Sequence, residues 1–365
     1  MAPIFSKRTV RHVDASGKRV LVRSDLNTPL TERDGEIVVA DDTRIRASLP
    51  TLELLLSQGA RVIVCSHLDR PKARDPKLSL APVAARLGEL LETKVRLASD
   101  LVGEDVEGEA LALGDGEVLL LENSRFHPGE TKNDPELATQ LAGLTDGIYV
   151  NDAFGAAHRA HATTEGVAHF VDEAVAGLLL EREVSTLQGI IEDPERPLVV
   201  VLGGAKVTDK VAVIKSFLKV ADSILIGGAM CFSFFRALGH GTGNSLVEQE
   251  GIELARRALE DAKSAGCRLV LPTDLVIGKE FSAETEVREL DGVDVPEGWM
   301  GLDIGPNTRE TYGKEIMNAR TVFWNGPMGA FEMEPFAVGT RYVAQAVADA
   351  PGVTVVGGGD SAAAV

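Results

Sequence analysis

The stretch RVLVRSDLNTP, residues 19–29, contains the two features that repeat along this chain. It begins as a short apolar run and ends abruptly in a polar loop with aspartate and asparagine. Similar apolar runs recur at residues 61–66, 118–123 and 147–152, with helix-like stretches between them at 43–59, 80–92 and 135–144. Short β-branched runs that alternate with helical patterns are typical of parallel strands buried on both faces. The first half is therefore predicted to be a doubly wound α/β lobe.

The second half repeats this alternation. Strand-like runs occur at residues 197–204, 223–230, 268–274, 321–326 and 353–359. The helical stretch 247–266 ends at Gly266, and glycine is suited to cap the carboxyl end of a helix. We therefore predict a second lobe of the same class.

A long helical pattern separates the halves. Residues 174–192 (AVAGLLLEREVSTLQGIIE) read as one helix, and the prolines of DPERP, residues 193–197, end it. We predict two Rossmann-like doubly wound parallel-sheet lobes joined by a hinge helix. The limits are an N-terminal domain of residues 1–172, a hinge helix of residues 173–192 and a C-terminal domain of residues 193–365.

Composition restricts the function classes. The net charge of −18 argues against a nucleic-acid surface, which needs a basic field. Cys65, Cys231 and Cys267 lie far apart without CxxC spacing, which favours a reducing compartment, and Cys65 and Cys231 are expected to be buried and inert. The N-terminus lacks an apolar signal region and no apolar run is long enough to span a membrane. We expect a cytoplasmic protein.

The polar loops of the first half carry arginine and histidine. These basic residues lie at or just beyond strand ends, apart from Arg44, which opens a helix: Arg44, His67, Arg70, Arg125, His158, Arg159 and His161. The planar fork of arginine matches carboxylate and phosphate groups, so several arginines at one sheet edge indicate a small, multiply anionic ligand. Asp25 and Asn27 would suit its hydroxyl groups.

The corresponding loops of the second half are rich in glycine. GGAK (203–206) and GGGDS (357–361) each follow a β-branched run and precede a helix-like segment, an arrangement typical of phosphate binding. Lys206 and Lys210 are expected on the first turns of one helix, facing the same way, and Asp360 would suit a magnesium ion. Since GxxxxGK[ST] and GxGxxG are both absent from the sequence, the motifs indicate a nucleotide site that is neither a P-loop nor a dinucleotide fold.

Taken in order, these motifs resemble the phosphoglycerate kinase family over nearly the whole chain. Further matching stretches are TRIRASLPTL (43–52), WMGLDIGP (299–306) and WNGPMGAFE (324–332). The resemblance implies an N-terminal lobe that binds 3-phosphoglycerate or 1,3-bisphosphoglycerate and a C-terminal lobe that binds Mg²⁺ with ADP or ATP. It also implies a monomer whose lobes close by a hinge motion, with reversible phosphoryl transfer from 1,3-bisphosphoglycerate to ADP.

The resemblance assigns roles to individual residues. Asp25 and Asn27 resemble the residues that hold the glycerate end. The basic patch on the phosphoglycerate is matched by Arg44, His67, Arg70, Arg125 and Arg159. Lys206 resembles the lysine that follows the transferring phosphoryl group, so Arg44 and Lys206 are the expected catalytic residues. The nucleotide contacts are matched by Lys210, Asn325, Glu332 (at the ribose), Gly357, Gly358, Gly359, Asp360 (also the metal ligand) and Ser361.

The chemistry of such a transfer places no demand on a general base. A carboxylate with a pKa of about 4 is already ionised at neutral pH. The site must instead align the reactants and offset negative charge. We therefore expect His67, His158 and His161 to be hydrogen-bonding or structural residues rather than bases.

Three features depart from the family pattern. Asp69 stands where the family usually has glycine, and it adds a negative charge beside an anion site, although aspartate tolerates a left-handed backbone. Ser24 replaces an aliphatic residue. Family members also continue beyond GGGDS through another glycine-rich segment, so the resemblance implies a C-terminal domain that is cut short.

Two other function classes remain open at the level of sequence. The first is a truncated, catalytically impaired protein that still binds phosphoglycerate or nucleotide. The second is a nicotinamide-dependent dehydrogenase, which the absence of a dinucleotide fingerprint from the sequence disfavours.

Overall fold

A computed structural model describes residues 5–359 and 361 of the chain. The chain divides into two compact units, residues 1–187 and 188–365. Each unit contains a parallel β-sheet with helices connecting its strands. This confirms the predicted α/β class with two parallel-sheet lobes.

The first unit is built around a six-stranded parallel sheet. The strands of the unit are β1 (Arg19–Arg23), β2 (Leu30–Arg33), β3 (Glu36–Val39), β4 (Arg61–Cys65), β5 (Val95–Leu97), β6 (Val118–Leu120), β7 (Ile148–Asn151) and β8 (Glu173–Ala176). Its helices are α1 (Thr43–Ser57), α2 (Ala81–Leu91), α3 (Glu104–Leu111), α4 (Pro135–Gly143) and α5 (Leu178–Glu192), the last extending into the second unit. The main sheet has the order β5-β6-β4-β1-β7-β8, and β2 and β3 form a separate antiparallel pair.

The central strands of this sheet are buried on both faces. Val20 and Val22 of β1 pack into one hydrophobic cluster with Leu52 of α1, while Leu21 packs into another with Leu137 of α4. Successive side chains of a strand point to opposite faces, so a run without polar residues needs cover on both sides. The runs of valine and leucine in the sequence therefore require the doubly wound arrangement.

The second unit contains a five-stranded parallel sheet and a small antiparallel sheet. Its strands are β9 (Leu198–Leu202), β10 (Ser223–Ile226), β11 (Arg268–Val270), β12 (Leu275–Gly278), β13 (Val287–Leu290), β14 (Met300–Ile304), β15 (Thr321–Asn325) and β16 (Val353–Gly357). Its helices are α6 (Val211–Phe217), α7 (Cys231–Leu238), α8 (Gln249–Ala265), α9 (Pro306–Met317) and α10 (Val338–Asp349). The parallel sheet has the order β11-β10-β9-β15-β16, and the antiparallel sheet has the order β13-β12-β14.

Helix α8 ends as the sequence predicts. Gly266 follows its last residue with a φ of +71°, and the amide of Cys267 donates to the carbonyl of Ala262. Glycine adopts this left-handed conformation without a Cβ penalty. The predicted C-cap is confirmed.

The segment between the two halves differs from the prediction at its beginning. Residues 173–176, predicted to begin a long helix, form strand β8, which pairs in parallel with β7. Helix α5 begins only at Leu178, where the carboxylate of Asp152 accepts hydrogen bonds from the amides of Leu179 and Leu180. Apolar residues of this short segment satisfy either pattern, and pairing with a neighbouring strand decides between them. The limits 1–172, 173–192 and 193–365 stay a prediction.

Candidate active site

The polar loops of the first unit follow neighbouring strands of its sheet. Strand β1 lies between β4 and β7, and Arg23 at its end pairs in register with Cys65 and Asn151. Strand β6 is the next neighbour of β4. All four strands are parallel, so the loops that follow them meet at one edge of the sheet, which is where α/β proteins bind ligands.

The residues predicted to hold hydroxyl groups lie together at this edge. Asp25 accepts a hydrogen bond from Arg44 with Nη1 and Oδ2 2.7 Å apart, so the carboxylate is already paired with one arginine of the basic set. Asn27 accepts a hydrogen bond from the amide of Asp69 at 2.7 Å. Asp69 has a φ of +53°, the left-handed conformation that the usual glycine would adopt more readily. The amide contact ties the loop after β1 to the loop after β4.

Three of the predicted arginines, Arg70, Arg125 and Arg159, form a cluster of like charge. Burial, followed by the charges of Arg159, Arg23 and Arg70, lowers the pKa of the Arg125 guanidinium. Within the part of the chain that the structure describes, the buried Nε of Arg125 has no hydrogen-bond partner. Burying an N–H group costs free energy unless a ligand or a water molecule accepts its hydrogen bond. The cluster is therefore suited to an anion.

The three histidines of the predicted site lie around this arginine cluster. His158 accepts a hydrogen bond from Nε of Arg159 at 3.1 Å. His161 lies 3.8 Å from the buried carboxylate of Glu130, but burial still lowers the pKa of its imidazole. Burial and the charge of Arg23 lower the pKa of His67 to about 3. An imidazole with so low a pKa is almost entirely unprotonated at neutral pH and accepts a proton poorly.

Two structurally important residues at this edge were missed in the sequence analysis. Arg23 is only 1% exposed and lies 2.9 Å from His67. Asn123 is fully buried, and its side chain bonds both the amide and the carbonyl of Leu68 while also accepting from the amide of Arg125. A signal was present in each case, because a polar residue that ends a strongly apolar strand has to find partners.

The glycine-rich loops of the second unit also follow neighbouring strands. Asn325 at the end of β15 pairs in register with Leu202 of β9 and Gly357 of β16, and Leu202 pairs with Ile226 of β10. The four glycine-containing loops therefore meet at the carboxyl edge of this sheet. In contrast to the first unit, this edge is formed largely by backbone.

The backbones of these loops approach each other too closely for side chains. A Cβ on Gly203 would lie 2.0 Å from the carbonyl oxygen of Pro327. Gly228 has a φ of +65°, and a Cβ there would lie 2.5 Å from the amide nitrogen of Gly204. Glycine at these positions allows the loops to pack and leaves backbone N–H groups near the edge.

The two lysines are placed differently from the prediction. Helix α6 begins at Val211, so Lys206 lies in the preceding loop and Lys210 is the N-cap residue. The prediction that both lysines lie on the first helical turns is wrong, because the carbonyl of Gly204 accepts from the amide of Met230 and the amide of Thr208 donates to Glu248 instead of forming a helical turn. Lys206 is exposed, whereas Nζ of Lys210 donates to Oδ1 of Asn325.

The last predicted nucleotide contacts lie on the loops after β15 and β16. The hydroxyl of Ser361 is buried and accepts a hydrogen bond from the amide of Gly326 at 2.6 Å, which joins these two loops. Gly358 has a φ of +92° and Gly359 follows it. Asp360, the predicted metal ligand, lies outside the described residues. Elsewhere in the described chain no group of three or more His, Cys, Asp or Glu side chains is placed to hold a metal ion.

A cavity of about 560 Å³ lies beside the glycine-rich loops. Its walls are mainly apolar and include Gly204, Phe232, Leu275, Leu302, Met328 and the predicted ribose contact Glu332. Cavities of this size with apolar walls and a few polar groups are typical of small-molecule sites. Apolar walls next to a phosphate-type loop would accept a nucleobase.

Two doubly wound lobes, one with an arginine-rich and one with a glycine-rich sheet edge, are the arrangement of a two-lobed α/β phosphotransferase. The phosphoglycerate kinase family model matches residues 10–365. The chain belongs to the phosphoglycerate kinase family, and it is a kinase that uses a carboxyl group as acceptor.

Similar proteins agree over almost the full chain. A phosphoglycerate kinase of Rubrobacter xylanophilus is 55% identical over 362 residues, which cover 99% of this chain and 90% of the relative. The cytosolic phosphoglycerate kinase of Triticum aestivum is 50% identical over 368 residues, covering 100% of this chain and 91% of the relative. The solved phosphoglycerate kinase structure from Coxiella burnetii superposes with a TM-score of 0.83 at 39% identity, covering 98% of this chain and 90% of that one.

Proposed function

We propose that the arginine-rich edge of the first unit binds 3-phosphoglycerate or 1,3-bisphosphoglycerate and that the glycine-rich edge of the second unit binds ADP or ATP. The observation that carries the first assignment is the cluster of Arg70, Arg125 and Arg159. The Nε of Arg125 is buried there and has no hydrogen-bond partner among the described residues. The carboxylate of Glu130 offsets part of this positive charge, and a bound anion would stabilise the like charges further.

The side chains around the cluster divide the work of binding. Asp25 and Asn27 hold the hydroxyl end of the glycerate, and Arg44, which already contacts Asp25, reaches the reacting carboxyl group. His67, Arg70, Arg125 and Arg159 hold the phosphate. The support for this division is the position of these side chains on loops that follow β1, β4, β6 or β7, with Arg44 on the first turn of α1, together with the family pattern.

In the second unit the nucleotide base occupies the apolar cavity and Glu332 contacts the ribose. Lys210, Asn325, Gly357, Gly358, Gly359 and Ser361 surround the phosphates, and Lys206 follows the transferring phosphoryl group. The Lys210–Asn325 contact and the Ser361–Gly326 hydrogen bond support a preformed phosphate loop. Asp360 would hold a Mg²⁺ ion, which supplies charge compensation on the nucleotide phosphates when bound. A single carboxylate with nucleotide oxygens is a sufficient set of ligands for this ion.

The chemistry then needs alignment more than proton transfer. The carboxylate of 3-phosphoglycerate is ionised at neutral pH and attacks the terminal phosphorus of ATP in line, while the bond to the leaving ADP oxygen breaks. Arg44 and Lys206 offset the negative charge around the reacting groups. The low pKa of His67 supports its assignment as a binding residue rather than a base.

The conformational and cellular parts of the proposal rest on the family pattern and on sequence. We propose that the two units close on each other with helix α5 as the hinge, and that the protein is a cytoplasmic monomer. All three cysteines are free and buried, as a reducing compartment allows. No helix in the described residues has the length and apolar character needed to cross a membrane.

A coupled assay tests the reaction directly. The chain is incubated with 3-phosphoglycerate, ATP and Mg²⁺, and formation of the acyl phosphate is followed. Turnover is expected. Calorimetric binding of both ligands without turnover would instead indicate the catalytically impaired binding protein, and binding of a nicotinamide cofactor would indicate the dehydrogenase.

A further inference from the structure

Arg23 is an unusual residue because a full guanidinium is buried at the end of an apolar strand. Its Nε donates to Oγ1 of Thr163 at 2.9 Å, and its Nη1 donates to the carbonyl of Ser24. Thr163 in turn donates to the buried carboxylate of Glu130 at 2.6 Å. Protein groups therefore hold two sides of the guanidinium.

The third side of the guanidinium meets a histidine. Nη2 of Arg23 lies 2.9 Å from Nδ1 of His67. A guanidinium has only donors and keeps its charge in proteins, so in this hydrogen bond Nδ1 has to be the acceptor. A neutral imidazole that accepts at Nδ1 carries its proton on Nε2.

We propose that Arg23 is a positioning residue that fixes His67 as the neutral imidazole with its proton on Nε2, so that His67 presents an N–H donor to the anionic ligand. The tautomer follows from the contact with Arg23 alone. The use of the donor rests on the proposed function, because it requires phosphoglycerate at the arginine cluster.

The charges around His67 act in the same direction. The groups that face it are the cations Arg23, Arg125 and Arg159 and one anion, Asp25. Burial and the nearest cations lower the pKa of His67 to about 3, which outweighs the opposite effect of Asp25. The ring is therefore neutral at neutral pH, which leaves it free to donate a hydrogen bond from Nε2.

The tautomer can be measured on the unmodified protein without ligand. In ¹⁵N-histidine-labelled protein, long-range ¹H–¹⁵N correlation distinguishes a protonated ring nitrogen from an unprotonated one. For His67 we expect an unprotonated Nδ1 and a protonated Nε2 from about pH 5 to about pH 8, where an ordinary histidine titrates. A proton on Nδ1, or titration near the ordinary value, would overturn the proposal. This result is independent of whether the chain binds phosphoglycerate.

A substitution tests the positioning role. Arg23→Lys keeps the charge but shortens the reach to His67, and Arg61→Lys, at the amino end of the neighbouring strand β4, is a control for the same substitution far from the site. In Arg23→Lys the Nδ1 acceptor signature is expected to be lost, and KM for 3-phosphoglycerate is expected to rise about tenfold, the effect of weakening one hydrogen bond to a charged ligand. Because His67 is assigned to binding of the ligand rather than to the reacting groups, the effect on kcat should be smaller than the effect on KM.

Each outcome of this experiment decides something. An unchanged His67 signature and KM in a folded Arg23→Lys protein would overturn the positioning role. A fall in kcat and a rise in the KM of ATP by the same factor would indicate a general structural defect and would also overturn it. If Arg23→Lys does not fold, the measurement on unmodified protein still decides the tautomer.

Discussion

The two units place their sites at the same edge of the same kind of sheet, but they build them from different parts of the chain. The first unit uses charged side chains on polar loops, and its arginines need an anion to offset their charges. The second unit uses glycine backbone that is packed too closely for a Cβ. The first site should therefore respond to changes in charge and the second to changes in volume.

The largest effect is expected from adding one methyl group to the glycine edge. Gly203→Ala would place a Cβ 2.0 Å from the carbonyl oxygen of Pro327, and backbone cannot move aside as a flexible side chain can. We expect a loss of at least about 3 kcal/mol in the free energy of unfolding of this unit, together with loss of ATP binding. Both tryptophans, Trp299 and Trp324, belong to this unit, so their fluorescence reports its unfolding.

A neighbouring glycine provides the control for this prediction. At Gly359 a Cβ would meet no atom within 4 Å among the described residues, and φ is not positive. Gly359→Ala keeps the backbone N–H and should therefore keep nearly normal stability and ATP affinity. Equal behaviour of the two variants would contradict the claim that volume limits this edge.

Removing the exposed lysine of the glycine edge should affect the rate without unfolding the unit. Lys206→Ala removes the charge that we assign to the transferring phosphoryl group, and we expect kcat to fall by at least about tenfold. Lys215→Ala removes an equally exposed charge from helix α6 and serves as the control. A decrease of less than about tenfold, or an equal decrease in the control, would count strongly against the assigned role of Lys206.

The same comparison explains which parts of the fold the sequence predicts. The central strands β1, β4, β6 and β7 are predicted because their apolar runs end where the polar loops begin, as at Arg23 and Cys65, whereas the three-residue edge strand β5 is not predicted. Strand β8 is predicted as helix because its short apolar segment fits either pattern, and only its pairing with β7 makes it a strand. The antiparallel strands β12, β13 and β14 are not predicted: β13 is largely exposed and lacks an apolar run, and β12 is a buried apolar run of only four residues.

The candidate site shows a similar division. Residue type alone indicates Arg125 and Arg159, because a row of arginines at strand ends is suited to binding an anion. The roles of Arg23 and Asn123 depend on partners distant in the chain, Thr163 and Leu68, which a motif does not contain. The start of α6 after Lys210 likewise depends on contacts between loops. Local patterns predict the chemistry of a site, and tertiary contacts decide its geometry.

A smaller effect is expected from a charge that opposes the arginine edge. Asp69→Asn removes a negative charge next to Arg70 and keeps a residue that tolerates the φ of +53°. We expect KM for 3-phosphoglycerate to decrease about two- to threefold at low ionic strength and less at high salt, since exposed charges are screened. Steady-state kinetics at two salt concentrations measures this.

The effect of charge can be separated from that of the backbone at the same position. Asp69→Gly removes the same charge and also relieves the left-handed conformation. If charge is the cause, the two variants should show the same KM, while Asp69→Gly alone changes stability. No change of KM in Asp69→Asn would mean that the edge is insensitive to this charge.

The last predicted effect concerns stability rather than binding. Ser24 is fully buried, and its hydroxyl has no hydrogen-bond partner among the described residues, whereas the equally buried Ser48 donates to the carbonyl of Ile45 at 2.8 Å. An unsatisfied buried hydroxyl costs about 1 kcal/mol or more, so Ser24→Ala should raise the free energy of unfolding by about 1 kcal/mol. Ser48→Ala loses a hydrogen bond and gains only a little helix propensity, so it should be the less stable variant in denaturation followed by circular dichroism. If Ser24→Ala proves destabilising, its hydroxyl has a hydrogen-bond partner in solution.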